Sequence, residues 1–447
     1  MLQMMRVSEC ICSTVPTLLA TFCSPCPENR IAALGNMLPK QTQRPGRCRR
    51  EPVLQMHDSP FAVYDIEALR RMRRAKWALE TEKYGAAVAE MDFSPAPPII
   101  SALVDAARRG DMGYPHPQAL ESASVSLKDW LKERHEWTVS VSDLVTVGGL
   151  IHALEAFLLH FVSSTSVVVP TPAYPPFLSV PRGLGLEVLE SPMLCDDGQW
   201  RLDLDDIDKA FSSGARVLIL CNPHNPTGTV FTREELVAVS EIVDRHRGRV
   251  FSDEIHAPLV YAPGAGRPSG RTHVPYASVS SAATEHTVTG VSATKAWNIG
   301  GMSCAHMIIS EQDRLTANRL AAVLAHSAST LGLWATAAAY REGGPWLRDV
   351  VSYLNGNRHR LADLVDKHLP GVKYRVPDAS YLAWLDFRAT EWSDEPARHA
   401  RSSAGVSTNE GTDYGAPGQG FLRLNFATPA AVLEEIVGAL GHTLPFR

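Results

Sequence analysis

Four short strings carry side chains whose type and setting can do chemistry. The first is Ser292-Ala-Thr-Lys-Ala-Trp-Asn298, which follows an apolar run. Desolvation there lowers a lysine pKa and frees the neutral amine. A neutral amine is what adds to a carbonyl carbon to form an imine. Two other readings stand beside it. A lone lysine is more often a surface charge, and SxxK is also a Ser-Lys hydrolase string, although the partner motifs of that class are absent. The second string is Asp253-Glu-Ile-His256. A carboxylate at a strand end is costly to bury without a cation. A protonated pyridine nitrogen would serve, and capping a helix is the plainer role. His256 reads equally as a satisfied histidine of the wall. No other His or Cys shares ligand spacing with it, which argues against a metal.

The third string is Asn222-Pro-His-Asn-Pro-Thr-Gly228. Two Asn-Pro steps and a glycine force an irregular loop, so it is at least a turn. An Asn held by such rigid neighbours is also a good donor to an anionic ring oxygen. The fourth is Gly148-Gly149-Leu150-Ile151 at a strand-to-helix junction. Free amides at a helix start bind phosphate, and glycine lets the backbone come close. Tight turning explains the same glycines.

Elements that position these strings can be read from periodicity. Strands are predicted over 144–147, 167–169, 216–221, 249–252 and 286–290, with helices over 151–161 and 233–245. That alternation implies an α/β fold with a mainly parallel sheet and helices on both faces. Ligands bind such sheets beyond the carboxyl ends of the strands, where all four strings lie. The region 64–77 has helical spacing, as does 98–131 with a break at Gly113-Tyr114-Pro115. Beyond 331 a long helical stretch reaches 368, and 381–387 and 421–426 alternate like strands with one covered face. The polar, Gly-rich stretch 401–420 reads as a mobile loop. The expected organisation is a large domain over 94–330, a smaller α+β domain from 57–93 with 331–447, and a flexible extension over 1–56.

Composition bounds the rest. A chain of 447 residues is too long for one ordinary core. With 45% apolar and 20% charged residues it reads as a soluble globular protein. A net charge of −5 leaves no broad basic surface for nucleic acid or acidic lipid. No run approaches the ~20 apolar residues of a membrane span. Cys10, Cys12, Cys23, Cys26 and Cys48 crowd the first fifty residues. The Cys23-Ser-Pro-Cys26 pair has no second CxxC and no βαβ setting. The apolar stretch at 15–22 lacks a clear cleavage site, so the segment reads as an extension, or as translation from an upstream start, rather than a signal peptide. Cys195, Cys221 and Cys304 read as buried, reduced thiols of a cytoplasmic enzyme.

Taken together the strings resemble the fold-type I pyridoxal 5′-phosphate enzymes of the class I/II aminotransferase superfamily. Asp253 follows Asn225 by twenty-eight positions and Lys295 follows Asp253 by forty-two. The resemblance covers roughly 57–447. It is nearest to the cystathionine β-lyase branch of the MalY and PatB type. The strings that carry this are Ala89-Glu-Met-Asp-Phe93, Asp253-Glu-Ile-His256, Ser380-Tyr-Leu-Ala-Trp-Leu-Asp386 and Gly420-Phe-Leu-Arg-Leu-Asn425. Ordinary aminotransferases usually carry Tyr where His256 stands.

That resemblance implies an aminotransferase-like fold and roles for named residues. Lys295 binds the cofactor as an imine and later moves the Cα proton. Asp253 pairs with the pyridinium nitrogen, so the ring remains an electron sink. Asn225 bonds the phenolic oxygen, Tyr174 stacks on the ring, and His256 belongs to the cofactor wall. Ser292, Gly149 and the amides of Leu150 and Ile151 hold the phosphate. Tyr114 reaches the phosphate of a neighbouring subunit and acts in catalysis, which implies a homodimer sharing its sites. Arg423 grips the substrate α-carboxylate, with Asp92 and Tyr114 also on the substrate. Trp297 and Tyr381 are expected in the core or pocket wall. The implied reaction is α,β-elimination on an S-substituted L-cysteine. Transamination and decarboxylation, the latter possibly with oxidative deamination, are the alternatives.

Three departures from that branch flank the site. They are Ala296-Trp297-Asn298, where Ser or Thr and then Phe are usual, Gly301-Met-Ser-Cys304, and a run before Met91 without the common Trp. They make a specialised pathway, such as one processing a sulfur-containing natural product, a real alternative. A regulator with an aminotransferase-like domain would need a DNA-binding domain in front. Fifty Cys- and Pro-rich residues cannot build a winged helix.

Overall fold

A computed structural model describes residues 63–78, 82–261 and 271–445. The expected extension over 1–56, with its CxxC, lies outside the described residues. The apolar runs form a seven-stranded sheet. In chain order its strands are β1 (Leu144–Val147), β2 (Ser166–Thr171), β3 (Glu187–Pro192), β4 (Val217–Cys221), β5 (Arg249–Asp253), β6 (Thr287–Val291) and β7 (Ala305–Ile308). Their order across the sheet is β1-β7-β6-β5-β4-β2-β3. All neighbours run parallel except β7, which is antiparallel to both β1 and β6. β4 and β6 are buried at every position, as expected of strands covered on both faces. Side chains of β4 alternate between two separate apolar clusters, Val217, Ile219 and Cys221 in one and Leu218 and Leu220 in the other.

The helices follow local signals. Arg233–Arg245 opens with a capping box, in which the Thr232 hydroxyl and the Glu235 carboxylate each satisfy the other's backbone amide. Pro97–Arg108 and Pro117–His135 each begin with proline, and the break expected at 113–115 separates them.

A second sheet is antiparallel. It contains β8 (Lys373–Tyr374), β9 (Leu382–Asp386), β10 (Asn409–Glu410) and β11 (Phe421–Asn425), ordered β8-β9-β11-β10. Register pairs Trp384 and Asn409 with Arg423 from either side.

Three expectations need correction. The helix read over 64–77 is two, Ile66–Arg71 and Ala75–Ala78, because Arg73 takes a left-handed φ of 52° between them. The stretch 331–368 is also two helices, Thr330–Glu342 and Gly344–His368. They meet at Gly343, where a Cβ would lie 2.4 Å from Trp297 Nε1 and 2.5 Å from the Ala339 carbonyl. The stretch 401–420 is built, not loose: Val406–Ser407 pairs with Tyr84–Gly85 and Asn409–Glu410 with β11. Its polar groups serve the backbone. The Glu410 carboxylate accepts from the amides of Ala397 at 3.0 Å and Arg398 at 3.3 Å. No single helix among the described residues is long and apolar enough to cross a membrane.

Candidate active site

The carboxyl ends of β2, β4 and β5 open into a cavity of about 530 Å³, walled by Leu150, Ile151, Tyr174, Asn225, Asp253, His256, Lys295 and Arg423, among others. That volume suits a small organic ligand with its cofactor.

Asp253 is the last residue of β5 and is buried. One carboxylate oxygen accepts the Ile255 amide at 3.0 Å. Among the described residues no cationic side chain pairs with it directly. Burial raises its pKa to about 7, with Glu254 adding to the rise and the Ile255 amide and Lys295 opposing it. A buried carboxyl of this kind suits a cationic ligand group.

The loop after β4 is braced on both sides. The Asn222 amide donates to the Asp253 carbonyl at 3.0 Å, and the Asn222 side-chain oxygen accepts the Phe231 amide at 3.1 Å. Gly228 closes the loop at φ +67°, where a Cβ would sit 2.3 Å from the Pro377 side chain. This places Asn225 on the wall, with its side-chain oxygen accepting from Arg423 at 3.1 Å.

Lys295 follows β6 and donates from Nζ to the Ala89 carbonyl at 3.0 Å. Desolvation, with Arg423 nearby, lowers its pKa to about 8, while Glu90 and Asp253 oppose the fall. A useful fraction is therefore the neutral amine near neutral pH. His256 is pushed down to about 3 by burial, Lys295 and Arg423, so it is a neutral imidazole. Its Nδ1 lies 3.2 Å from the Ser380 hydroxyl.

Arg423 comes from β11, on the far side of the cavity. Its guanidinium also reaches the Ala87 carbonyl at 3.0 Å and the Asn409 side-chain oxygen at 2.7 Å, and lies 5.3 Å from the Tyr414 ring centre. Its Nε is buried with no hydrogen-bond partner. The helix Leu150–His160 starts at the cavity with no side chain capping it, so its first amides face the wall unshielded. Tyr174 also lines the cavity, and burial raises its phenol.

Four residues expected at the site are not on this wall. Asp92 is a correction: it is fully buried, held by Lys76 Nζ at 2.7 Å and Trp77 Nε1 at 2.8 Å, and has nothing left for a substrate. Ser292 donates its hydroxyl to the Cys304 carbonyl at 2.7 Å and accepts the Thr294 amide at 3.2 Å, so Thr294 lines the cavity instead. Gly149 is the N-cap behind Leu150 and Ile151. Tyr114 lies outside its own chain's cavity, 77% exposed, with its ring stacked on His326 at 4.9 Å. Trp297 and Tyr381 are buried, in keeping with the expectation.

Other wall residues were not anticipated. Thr294, next to Lys295, had a signal in its position alone. Cys221 stood in sight at the end of β4, and burial raises its thiol well above the usual range. Asn409, Thr408 and Arg401 arrive through the register of β10 and the helix before it, which carries no local motif.

The description "Aminotransferase class I and II" belongs to a family model that matches residues 82–440. The chain is 34% identical over 377 residues to a cystathionine beta-lyase of Corynebacterium glutamicum, covering 83% of this chain and 96% of that one. It is 34% identical over 373 residues to cystathionine beta-lyase PatB of Bacillus subtilis, covering 80% and 94%. Among solved structures, the pyridoxal-phosphate-bound C-S lyase of Staphylococcus hominis superposes with a TM-score of 0.74 at 27% identity, covering 81% of this chain and 91% of that one.

Proposed function

Because the chain belongs to the class I and II aminotransferase family, we propose that it is a pyridoxal 5′-phosphate-dependent carbon–sulfur lyase. It cleaves an S-substituted L-cysteine to a thiol, pyruvate and ammonia. Support for the reaction comes from relatives named cystathionine beta-lyase and C-S lyase. The observation that carries the cofactor is the pairing of two groups in one cavity. A buried carboxylate without a cation, Asp253, and a lysine with a depressed pKa, Lys295, face the same space. The wall fits the cofactor elsewhere too. The uncapped helix start at Leu150 and Ile151, with the Thr294 hydroxyl, suits a phosphate. Asn225 suits a ring oxygen, and Tyr174 offers a flat face.

Bound there, the cofactor supplies an aldehyde carbon for amines and an electron sink for the bond broken at Cα. The chain's own residues do the rest. Lys295 would hold the cofactor and would take the Cα proton as general base. Asp253 keeps the ring nitrogen protonated. Arg423 binds the α-carboxylate through a guanidinium already steered by Asn225, Asn409 and Ala87. Neutral His256 fills the wall beside Asp253 without adding charge. Loss of the β-thiolate follows proton removal, and hydrolysis of the released enamine gives pyruvate and ammonia.

Exposed Tyr114 supports a homodimer, since a second subunit is what would bring an active-site role to a ring lying outside its own cavity. Cys195 is exposed rather than buried as expected, because it lies on a surface hairpin; Cys195, Cys221 and Cys304 are all free thiols, which supports a reducing, cytoplasmic setting.

A substrate screen that reads thiol, pyruvate and CO2 together tests the proposal. Equal release of thiol and pyruvate from cysteine S-conjugates is expected. Keto-acid-dependent product, or CO2 without thiol, would move the assignment to transamination or decarboxylation.

A further inference from the structure

A buried ion pair is weak evidence for stability, because apolar side chains of the same size often do as well. Lys76 and Asp92 form such a pair at 2.7 Å, with both side chains fully buried. Trp77 Nε1 completes the carboxylate at 2.8 Å, and Lys76 Nζ also reaches the Ala427 carbonyl at 3.3 Å. Burial lowers the Lys76 pKa, Asp92 and Glu90 oppose that, and Arg74 adds to it.

The pair sits at one end of an irregular strap, 86–93, whose Ala87, Val88 and Ala89 line the cavity. Little regular hydrogen bonding fixes this strap, so side chains do it. Asn425 Nδ2 donates to the Val88 carbonyl at 2.6 Å and the Glu90 carbonyl at 2.7 Å. Asn298 exchanges bonds with the Met91 backbone at 2.9 and 2.8 Å. The Asp92 amide donates to the Ala427 carbonyl at 2.9 Å. Two strap carbonyls then meet Arg423 and Lys295. Ala87 accepts from Arg423 at 3.0 Å, and Ala89 accepts from Lys295 Nζ at 3.0 Å and from the Tyr381 hydroxyl at 3.0 Å.

We infer that Lys76 and Asp92 are positioning residues for Lys295: their buried pair fixes the depth of the strap, and the Ala89 carbonyl so placed orients the amine. The inference rests on Lys295 being the cofactor lysine. The titratable groups facing that amine are Arg423, Glu90, Asp253 and the neutral His256, and the double change below alters none of them. An amide oxygen at hydrogen-bond distance stabilises the ammonium over the amine. A strap that drifts takes this acceptor away, so the Lys295 pKa falls and the base loses its aim.

The test is the double variant Lys76→Met/Asp92→Asn, which keeps the side-chain sizes and leaves an oxygen for Trp77. Uptake of pyridoxal 5′-phosphate by the stripped full chain, followed by absorbance across pH, gives the midpoint of the Lys295 amine. We expect that midpoint to fall by about one pH unit, the size of one lost charge-assisted bond. On the loaded enzyme we expect kcat to fall about tenfold with KM within about twofold of the parent. Asp92→Glu is the second variant, in case the double change does not fold. It keeps the pair, pushes the strap by one methylene, and should shift the midpoint the same way. A folded variant with the parent midpoint and kcat overturns the inference and makes the pair structural only. Lys295→Ala tells the two readings apart. If that variant keeps the cofactor absorbance, the reading of Lys295 fails, whatever the pair does.

Discussion

The Arg423 guanidinium donates to the Asn225 side-chain oxygen at 3.1 Å, joining the antiparallel sheet to the loop after β4 across the cavity. Since Asn225 spends its oxygen on Arg423, its NH2 is the group left for a ring oxygen. Arg423→Lys should therefore disturb both. A lysine cannot reproduce the planar fork. We expect kcat/KM to fall by about a hundredfold, mainly through KM, with cofactor absorbance retained. Steady-state kinetics on one S-alkyl cysteine checks this; an unchanged KM removes Arg423 from substrate binding.

Lys295 should control cofactor capture through its proton. Its pKa is lowered to about 8, so the amine is mostly ammonium below that pH and mostly neutral above. Only the neutral amine attacks an aldehyde. The rate of cofactor uptake should rise with pH through about 8 and level off beyond. Lys295→Ala should show no cofactor imine absorbance and at least a ~1000-fold loss of kcat.

Asp253 should change protonation state with the cofactor. In the stripped protein its carboxyl is raised to about 7, so at pH 6 it is mainly neutral. A cation beside it favours the carboxylate. Infrared difference spectra at pH 6 should show a protonated-carboxyl band lost on adding the cofactor and missing from Asp253→Asn. That variant should keep its fold and lose kcat by about a hundredfold or more.

Gly343 should not tolerate a methyl group. Its φ of −78° is ordinary, so the obstacle is space: the Trp297 indole and the Ala339 carbonyl occupy it. Gly343→Ala should destabilise by about 2 kcal/mol. In a Trp297→Phe background the added loss should be smaller, since the Nε1 contact is gone. Thermal melts of the four proteins close the cycle.

Legibility of this site tracked how local each cause is. Asp253 ends a strand, and Asn225 and Lys295 each follow one by four positions; these strands are short and buried along nearly their whole length, so string and element could be read together. Arg423 looked like one charge in an alternating strand, and its place came through the resemblance. Asp92 was misassigned because a matching string says nothing about which way a side chain turns in irregular backbone. What decides it is Lys76, sixteen positions earlier. Asn409 had no signal at all, since it meets Arg423 through strand register. The stretch 401–420 looked loose because polar residues that bond backbone and polar residues that meet water have the same composition.

The Ala89 carbonyl has a consequence for turnover. A carbonyl oxygen has two lone pairs, and two donors, Tyr381 and Lys295, share this one. While Lys295 is joined to the cofactor, the carbonyl it leaves still has Tyr381 as a partner. The lysine's release from Ala89 thus forfeits a single hydrogen bond and never strands a buried oxygen.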